Sequence, residues 1–235
     1  MKRFFSLLTV ILLLILLCAC NEGTGEVGSD GQKDEVHNPT VCTKDGVDEF
    51  LAIAGNPEGE GLLSGYSITR DNLYNVTPEA VSRMTDYKIF KTSDSCASFI
   101  LIDGEIHPIC EYFGGYGFVS AHPCDYDEDG VTDLLVSSSF GSGIHTSVVS
   151  AFSGATRESK TLCTNSDREH DMIVLAQSPS FSSVDMNELP IYYVVYLVEI
   201  HVNDGNLANL SYDLSEPFGS IIWENGEILY KPNEG

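Results

Sequence analysis

Short runs of apolar and β-branched residues, punctuated by Asp-Gly and Asn-Gly pairs, carry most of the pattern in this chain. Ser98-Phe-Ile-Leu-Ile102 and Glu105-Ile-His-Pro-Ile109 flank Asp103-Gly104, and Ile221-Ile-Trp-Glu224 and Glu227-Ile-Leu-Tyr230 flank Asn225-Gly226. Both dipeptides favour a type I′ turn, so both segments predict two-residue β-hairpins. In the first, Ile102 pairs with Glu105, Cys96 falls opposite Glu111, and Cys110 falls opposite Ala97 on the other face. Cys96 and Cys110 are then poorly placed for a disulfide. The β-branched and aromatic run from Ile191 to Val202 ends at Asn203-Asp-Gly205 and predicts a third hairpin. Leu134-Leu-Val-Ser-Ser138 predicts a strand, with Thr146 to Phe152 as its returning partner. Helical signals are few: Val47 to Ala54, and Pro78 to Met84 with Thr77 as N-cap and Pro78 at the first helical position. The pattern predicts a mainly β (β-rich α+β) fold, a single antiparallel domain with hairpins and few short helices.

The N-terminus carries a different signal. Met1-Lys2-Arg3 is a short basic start, and Leu7 to Leu17 is an apolar run of eleven residues broken only by Thr9. A spanning helix needs about 20 residues, so this run has the layout of an export signal. It ends in Leu17-Cys18-Ala19-Cys20, which resembles the lipobox of bacterial lipoprotein signal peptides. The resemblance implies cleavage after residue 19 and a diacylglyceryl thioether on Cys20, with Leu17 and Ala19 as the recognised flanks. An ordinary secretory peptide with incidental cysteines is the plainer alternative. Two or more acyl chains give lasting attachment, so the implied address is the cell membrane, facing the extracytoplasmic side.

Residues 20 to 46 are rich in Gly, Asp, Glu, Ser and Asn and nearly free of large apolar residues. Such a composition buries no core and predicts a flexible acidic tether. Residues 47–235 then suffice for one domain with a sizeable core. Loss of Lys2 and Arg3 leaves 10 basic against 35 acidic residues, a net charge of −25 for the mature chain. That balance repels nucleic acid and anionic lipid, and neither is an expected partner. Besides Cys18 and Cys20 the chain has Cys42, Cys96, Cys110, Cys124 and Cys163, an odd number with no C-x-x-C spacing. A zinc ribbon or dithiol redox motif finds no support, and at least one thiol stays unpaired.

The densest chemistry lies in Asp125-Tyr-Asp127-Glu-Asp129-Gly130-Val131-Thr-Asp133. Aspartates at alternate positions turn toward one centre, and Gly130 permits the bend that wraps the chain around it. An EF-hand would need a bidentate Glu at its twelfth position between two helices. Val136 stands there, and the flanks read as strands, which argues against a helix-loop-helix sensor. A solvated acidic turn is the plain alternative. The loop resembles the FG-GAP or integrin-type Ca²⁺ loop, D-x-D-x-D-G-x-x-D-L, over about 40 residues from Tyr116-Gly-Phe118 to Phe152-Ser-Gly154. That likeness implies side-chain oxygens from Asp125, Asp127, Asp129 and Asp133 and a backbone carbonyl from Val131. Glu128 stands where the family often has Gly. One copy in a chain of this length implies the ion site without a full propeller. The combination with Phe113-Gly-Gly-Tyr-Gly117 and Phe140-Gly-Ser-Gly-Ile-His145 is also similar to exported bacterial proteins that carry no assigned activity.

No G-x-S-x-G, H-E-x-x-H or P-loop is present, and no catalytic residues are assigned. His145 and Tyr116, both among glycines, are the candidate ligand contacts; the blander role for His145 is to fix its glycine-rich bend. His107 and His201 fall in predicted strands as edge or surface residues, and His122 buttresses the loop entrance. Tyr192, Tyr193 and Tyr196 read mainly as core. The expected function is a Ca²⁺-organised binding or adhesion module for an extracellular glycan or protein. The alternatives are a hydrolase of envelope or environmental polymer, and a structural accessory subunit of an envelope complex.

Overall fold

The computed structural model describes residues 40–55, 66–109, 114–141, 146–165, 172–175, 188–194, 199–202, 208–211, 214–224 and 227–232. Within these, the chain is mainly β and every sheet is antiparallel. Sheet I takes β2 (Leu73–Asn75), β3 (Lys88–Thr92), β4 (Ser98–Ile102) and β5 (Glu105–Pro108) in chain order. Sheet II takes β6 (Gly117–Cys124), β7 (Asp133–Phe140), β8 (Thr146–Phe152) and β9 (Ser159–Asn165), again in order. Sheet III is β10 (Met172–Leu175), β11 (Glu188–Val194), β14 (Leu214–Glu224) and β15 (Glu227–Pro232). A small sheet joins β1 (Thr40–Cys42), β13 (Ala208–Ser211) and β12 (Glu199–Val202), with β13 central. Among the described residues these sheets close into neither a barrel nor a propeller ring.

Alternation along the strands explains how the layers stack. In β4, Ile100 and Ile102 join a core with Phe118, Leu134, Val136 and Phe152 of sheet II, while Phe99 and Leu101 face the opposite way. Those two pack with Val47 and Phe50 of helix α1 (Val47–Ala54), where the Phe50 ring lies 4.8 Å from Phe90 and 5.6 Å from Phe99. In β7, Leu135 turns away from Leu134 and Val136 and packs with Leu189, Ile191, Ile221 and Ile228 of sheet III. The order is helix, sheet I, sheet II, sheet III. β7 is covered on both faces, so its apolar residues run consecutively. Pro108 and Pro123 lie in β5 and β6, each at the edge of its sheet, where a missing N–H costs no ladder bond.

The first hairpin has the predicted register, Ile102 opposite Glu105, with φ of 52° at Asp103 and 78° at Gly104. Two left-handed residues in succession make the type I′ turn. Glu224 also pairs with Glu227, although Asn225 and Gly226 themselves lie outside the described residues, as do Cys110 and Glu111. The run from Ile191 to Val202 is not one strand. It contributes to β11 in sheet III and to β12 in the small sheet, and β12 forms the expected hairpin with β13 around residues 203–207, outside the described set.

Two boundaries move. The tether drawn to residue 46 overlaps the folded part, because Thr40–Cys42 pairs with β13 and Cys42 is fully buried. Lys44 follows, its Nζ donating to the carbonyls of Arg70, Asp71 and Leu73 at 2.7, 2.9 and 2.8 Å. Helix α2 is Glu79–Met84, with Pro78 as N-cap in place of Thr77. The Thr77 hydroxyl is committed elsewhere: it donates to Asn75 Oδ1 at 2.5 Å and accepts the Ile89 N–H at 2.8 Å.

Candidate metal centre

The β6–β7 hairpin builds the loop. Cys124 and Asp133 pair directly, which closes residues 125–132 into one turn at the end of sheet II. Asp125 Oδ1 accepts the Asp129 N–H at 3.1 Å and Oδ2 accepts the Gly130 N–H at 3.1 Å, so the first aspartate pins the returning chain. Glu128 has φ of 59° and Gly130 φ of 82°. A Cβ at Gly130 would meet nothing within 4 Å, so its left-handed backbone, not crowding, calls for glycine there. Glu128 takes a left-handed backbone although it is not glycine, and its side chain is exposed.

Oxygens of Asp125, Asp127 and Asp133 lie within 4.8 Å of one another. Asp129 stands apart from this group; its Oδ1 accepts the Val131 N–H at 2.7 Å. Of the five expected ligand positions, three carboxylates are therefore gathered, and Asp129 and Val131 form the turn beside them. Asp125 and Asp127 are exposed, whereas Asp133 is fully buried. Burial raises the Asp133 carboxyl above its usual range, and backbone N–H bonds from Gly154 (2.7 Å) and Tyr126 (3.0 Å) oppose that rise. Three acidic oxygens so close repel unless a cation or proton intervenes. An all-oxygen donor set suits a hard cation, and the exposed side of the group leaves room for waters in its coordination sphere.

Gly154 is part of the site. Its N–H reaches Asp133, and a Cβ there would lie 2.1 Å from the Thr132 carbonyl and 2.4 Å from Tyr87 Oη. Phe152-Ser-Gly154 ends the motif resemblance, so a sequence signal for this position existed. Tyr87, which donates to the Thr132 carbonyl at 2.7 Å, and Arg157, which donates to the Gly154 carbonyl, had none.

The other candidates lie elsewhere. Tyr116 precedes β6 at the end remote from the loop, half-buried and packed on the core between sheets I and II. Eight residues of β6 separate it from the aspartates, about 26 Å at strand rise. His145 lies outside the described residues, as does Cys20; the flanking Phe140 and Thr146 pair at the same remote end. Gly114 bridges Gly141 across the far end of sheet II, away from the acidic loop. In an antiparallel hairpin, residues flanking the turn at equal separation meet far from it. His122 does more than buttress the entrance: it is 7% exposed, and burial lowers its pKa to about 4. Burial also pushes the Cys124 thiol far up, helped by Asp133 and Asp125, and the Cys163 thiol up to about 11. Cys124 and Cys163 form no disulfide among the described residues. Neither Cys124 nor Cys163 is a thiolate nucleophile at neutral pH. No family model, no curated protein and no solved structure matches this chain.

Proposed function

We propose that this chain is a lipid-anchored extracytoplasmic lipoprotein whose β6–β7 loop holds Ca²⁺ as a structural clip, and that its domain binds an extracellular glycan or protein. The observation that carries the ion reading is the gathering of Asp125, Asp127 and Asp133 at the mouth of a strand hairpin. Asp133 is buried with backbone donors on both oxygens, so the ion would lock strand ends and not open a helix pair. Extracellular Ca²⁺ modules bind at about 10⁻⁴–10⁻³ M, a range suited to an exported domain. The anchor rests on the lipobox-like Leu17-Cys18-Ala19-Cys20. The binding role rests on that address together with the absence of a legible catalytic motif in the sequence.

The test uses residues 20–235 carrying Cys20→Ser, immobilised and offered to glycan arrays and extracellular protein fractions in Ca²⁺ and in chelator. Capture that requires Ca²⁺ supports the reading; turnover of a polymer without capture overturns it. For the anchor, Cys20→Ser in the full chain moves the protein from the membrane to the soluble fraction. Unchanged membrane association would remove the lipid anchor from the account.

A further inference from the structure

Two side-chain bridges tie the loop end of sheet II to sheet I, and neither is needed to hold an ion. Tyr87 Oη donates to the Thr132 carbonyl at 2.7 Å. Arg157 spans a longer route: Nη1 donates to the Gly154 carbonyl, and Nη2 pairs with Asp103 Oδ2 in the type I′ turn between β4 and β5. Gly154 carries both ends of the connection, its N–H on Asp133 Oδ1 at 2.7 Å and its carbonyl on Arg157. The contacts run without a gap from the buried Asp133 carboxylate through Gly154 and Arg157 to Asp103.

The chain is asymmetric in exposure. The Arg157 side chain is 23% exposed and Asp103 81%. An exposed ion pair alone holds little. Here the guanidinium is fixed at one side by Gly154, so whatever fixes Gly154 also aims the charge that holds Asp103. The space beside Gly154 is tight, since a Cβ there would lie 2.1 Å from the Thr132 carbonyl and 2.4 Å from Tyr87 Oη. The turn around it is closed by Ser153 N–H to the Glu158 carbonyl at 2.9 Å and Arg157 N–H to the Ser153 carbonyl at 3.0 Å.

We propose that Ca²⁺ occupancy of the loop is transmitted through Gly154 and Arg157 to the Asp103-Gly104 turn, so that the ion regulates how firmly sheet I is held against sheet II. This rests on the Ca²⁺ reading of the loop. An ion that fixes Asp133 fixes its partner Gly154, and the relay follows. Linkage makes the effect reciprocal: breaking the relay weakens ion binding by the factor through which the ion stabilises the relay. Arg157 acts as a positioning residue, not a ligand.

The experiment is amide hydrogen exchange and calorimetric Ca²⁺ titration on residues 20–235 with Cys20→Ser. Wild type is compared with Arg157→Ala, with Asp103→Asn at the exposed end, and with Asp48→Asn on α1 as a control for lost charge. In wild type, Ca²⁺ slows exchange at residues 126–131, at 154–158 and at 104–106. In Arg157→Ala and Asp103→Asn the first protection remains and that at 104–106 disappears, while Ca²⁺ affinity falls about 5-fold or more, the lower end of ordinary coupling. Asp48→Asn leaves both unchanged. Protection of 126–131 without protection of 104–106 in wild type overturns the relay and leaves the ion reading standing. No Ca²⁺ protection anywhere overturns both. Full protection of 104–106 in Arg157→Ala overturns the assignment of Arg157.

Discussion

Gly154 and Ser98 show how single positions carry the geometry around the loop. A methyl group at Gly154 would lie 2.1 Å from the Thr132 backbone carbonyl as well as 2.4 Å from the Tyr87 hydroxyl, and the carbonyl cannot swing aside as a side-chain end can. Gly154→Ala is therefore expected to cost more than about 2 kcal/mol in urea unfolding, in the range of severe backbone clashes, and a loss under about 0.5 kcal/mol would contradict the crowding. Ser98 Oγ accepts the Phe118 N–H at 2.9 Å and donates to the Cys96 carbonyl at 3.0 Å, whereas the equally buried Ser139 Oγ has no partner. Ser98→Ala leaves a buried N–H unpaired and costs about 1–3 kcal/mol; Ser139→Ala removes an unsatisfied hydroxyl and is neutral or stabilising. Equal losses at the two serines in parallel melts would refute that contrast. From sequence, the two are indistinguishable apolar-strand serines. Their difference comes from a bridge between sheets, which no local pattern encodes.

At the scale of elements, turn chemistry was the most legible feature. Asp103-Gly104 sets both the turn type and the register, because the type I′ conformation it adopts matches strand twist. The α2 cap was misread because Thr77 spends its hydroxyl on Asn75 and Ile89, a tertiary use that outcompetes capping. The β6–β7 hairpin adds a pH dependence. His122 lies in β6 with its folded pKa lowered to about 4 by burial, against about 6.5 unfolded. A depressed histidine pKa means that the unfolded chain binds the proton more readily. Its contribution is complete above pH 6.5 and is lost as pH falls from there toward 4, so stability rises with pH in that window. Between pH 7 and pH 5 the loss from this residue is about 2 kcal/mol. Urea midpoints of wild type should fall across that interval, and His122→Phe should flatten the fall. An unchanged slope in the variant would show that His122 does not carry it.

Over the whole molecule, the mainly β antiparallel class was legible because alternation and turns are local signals. The stacking of helix and three sheets was not, since it depends on which alternate face of β4 and β7 meets which partner. The carboxylate cluster was partly legible for the same reason. Asp125, Asp127 and Asp133 converge within one hairpin, but Asp129 turns back on Val131, and Tyr116 stands a strand's length away. Nearness in sequence does not bring Tyr116 to the loop, because the two strands of a hairpin carry their far ends away from its turn together. The proposed ion clip would stabilise this fold. Its most direct test is the melting temperature of residues 20–235 with Cys20→Ser, in about 10 mM Ca²⁺ and in chelator, for wild type and Asp127→Ala. At a dissociation constant of about 10⁻⁴–10⁻³ M the ion contributes about 1.4–2.7 kcal/mol, raising the melting temperature by about 3–10 °C. Wild type is expected to show that rise and Asp127→Ala to lose it; an identical melt with Ca²⁺ and with chelator would show that the loop is no ion clip.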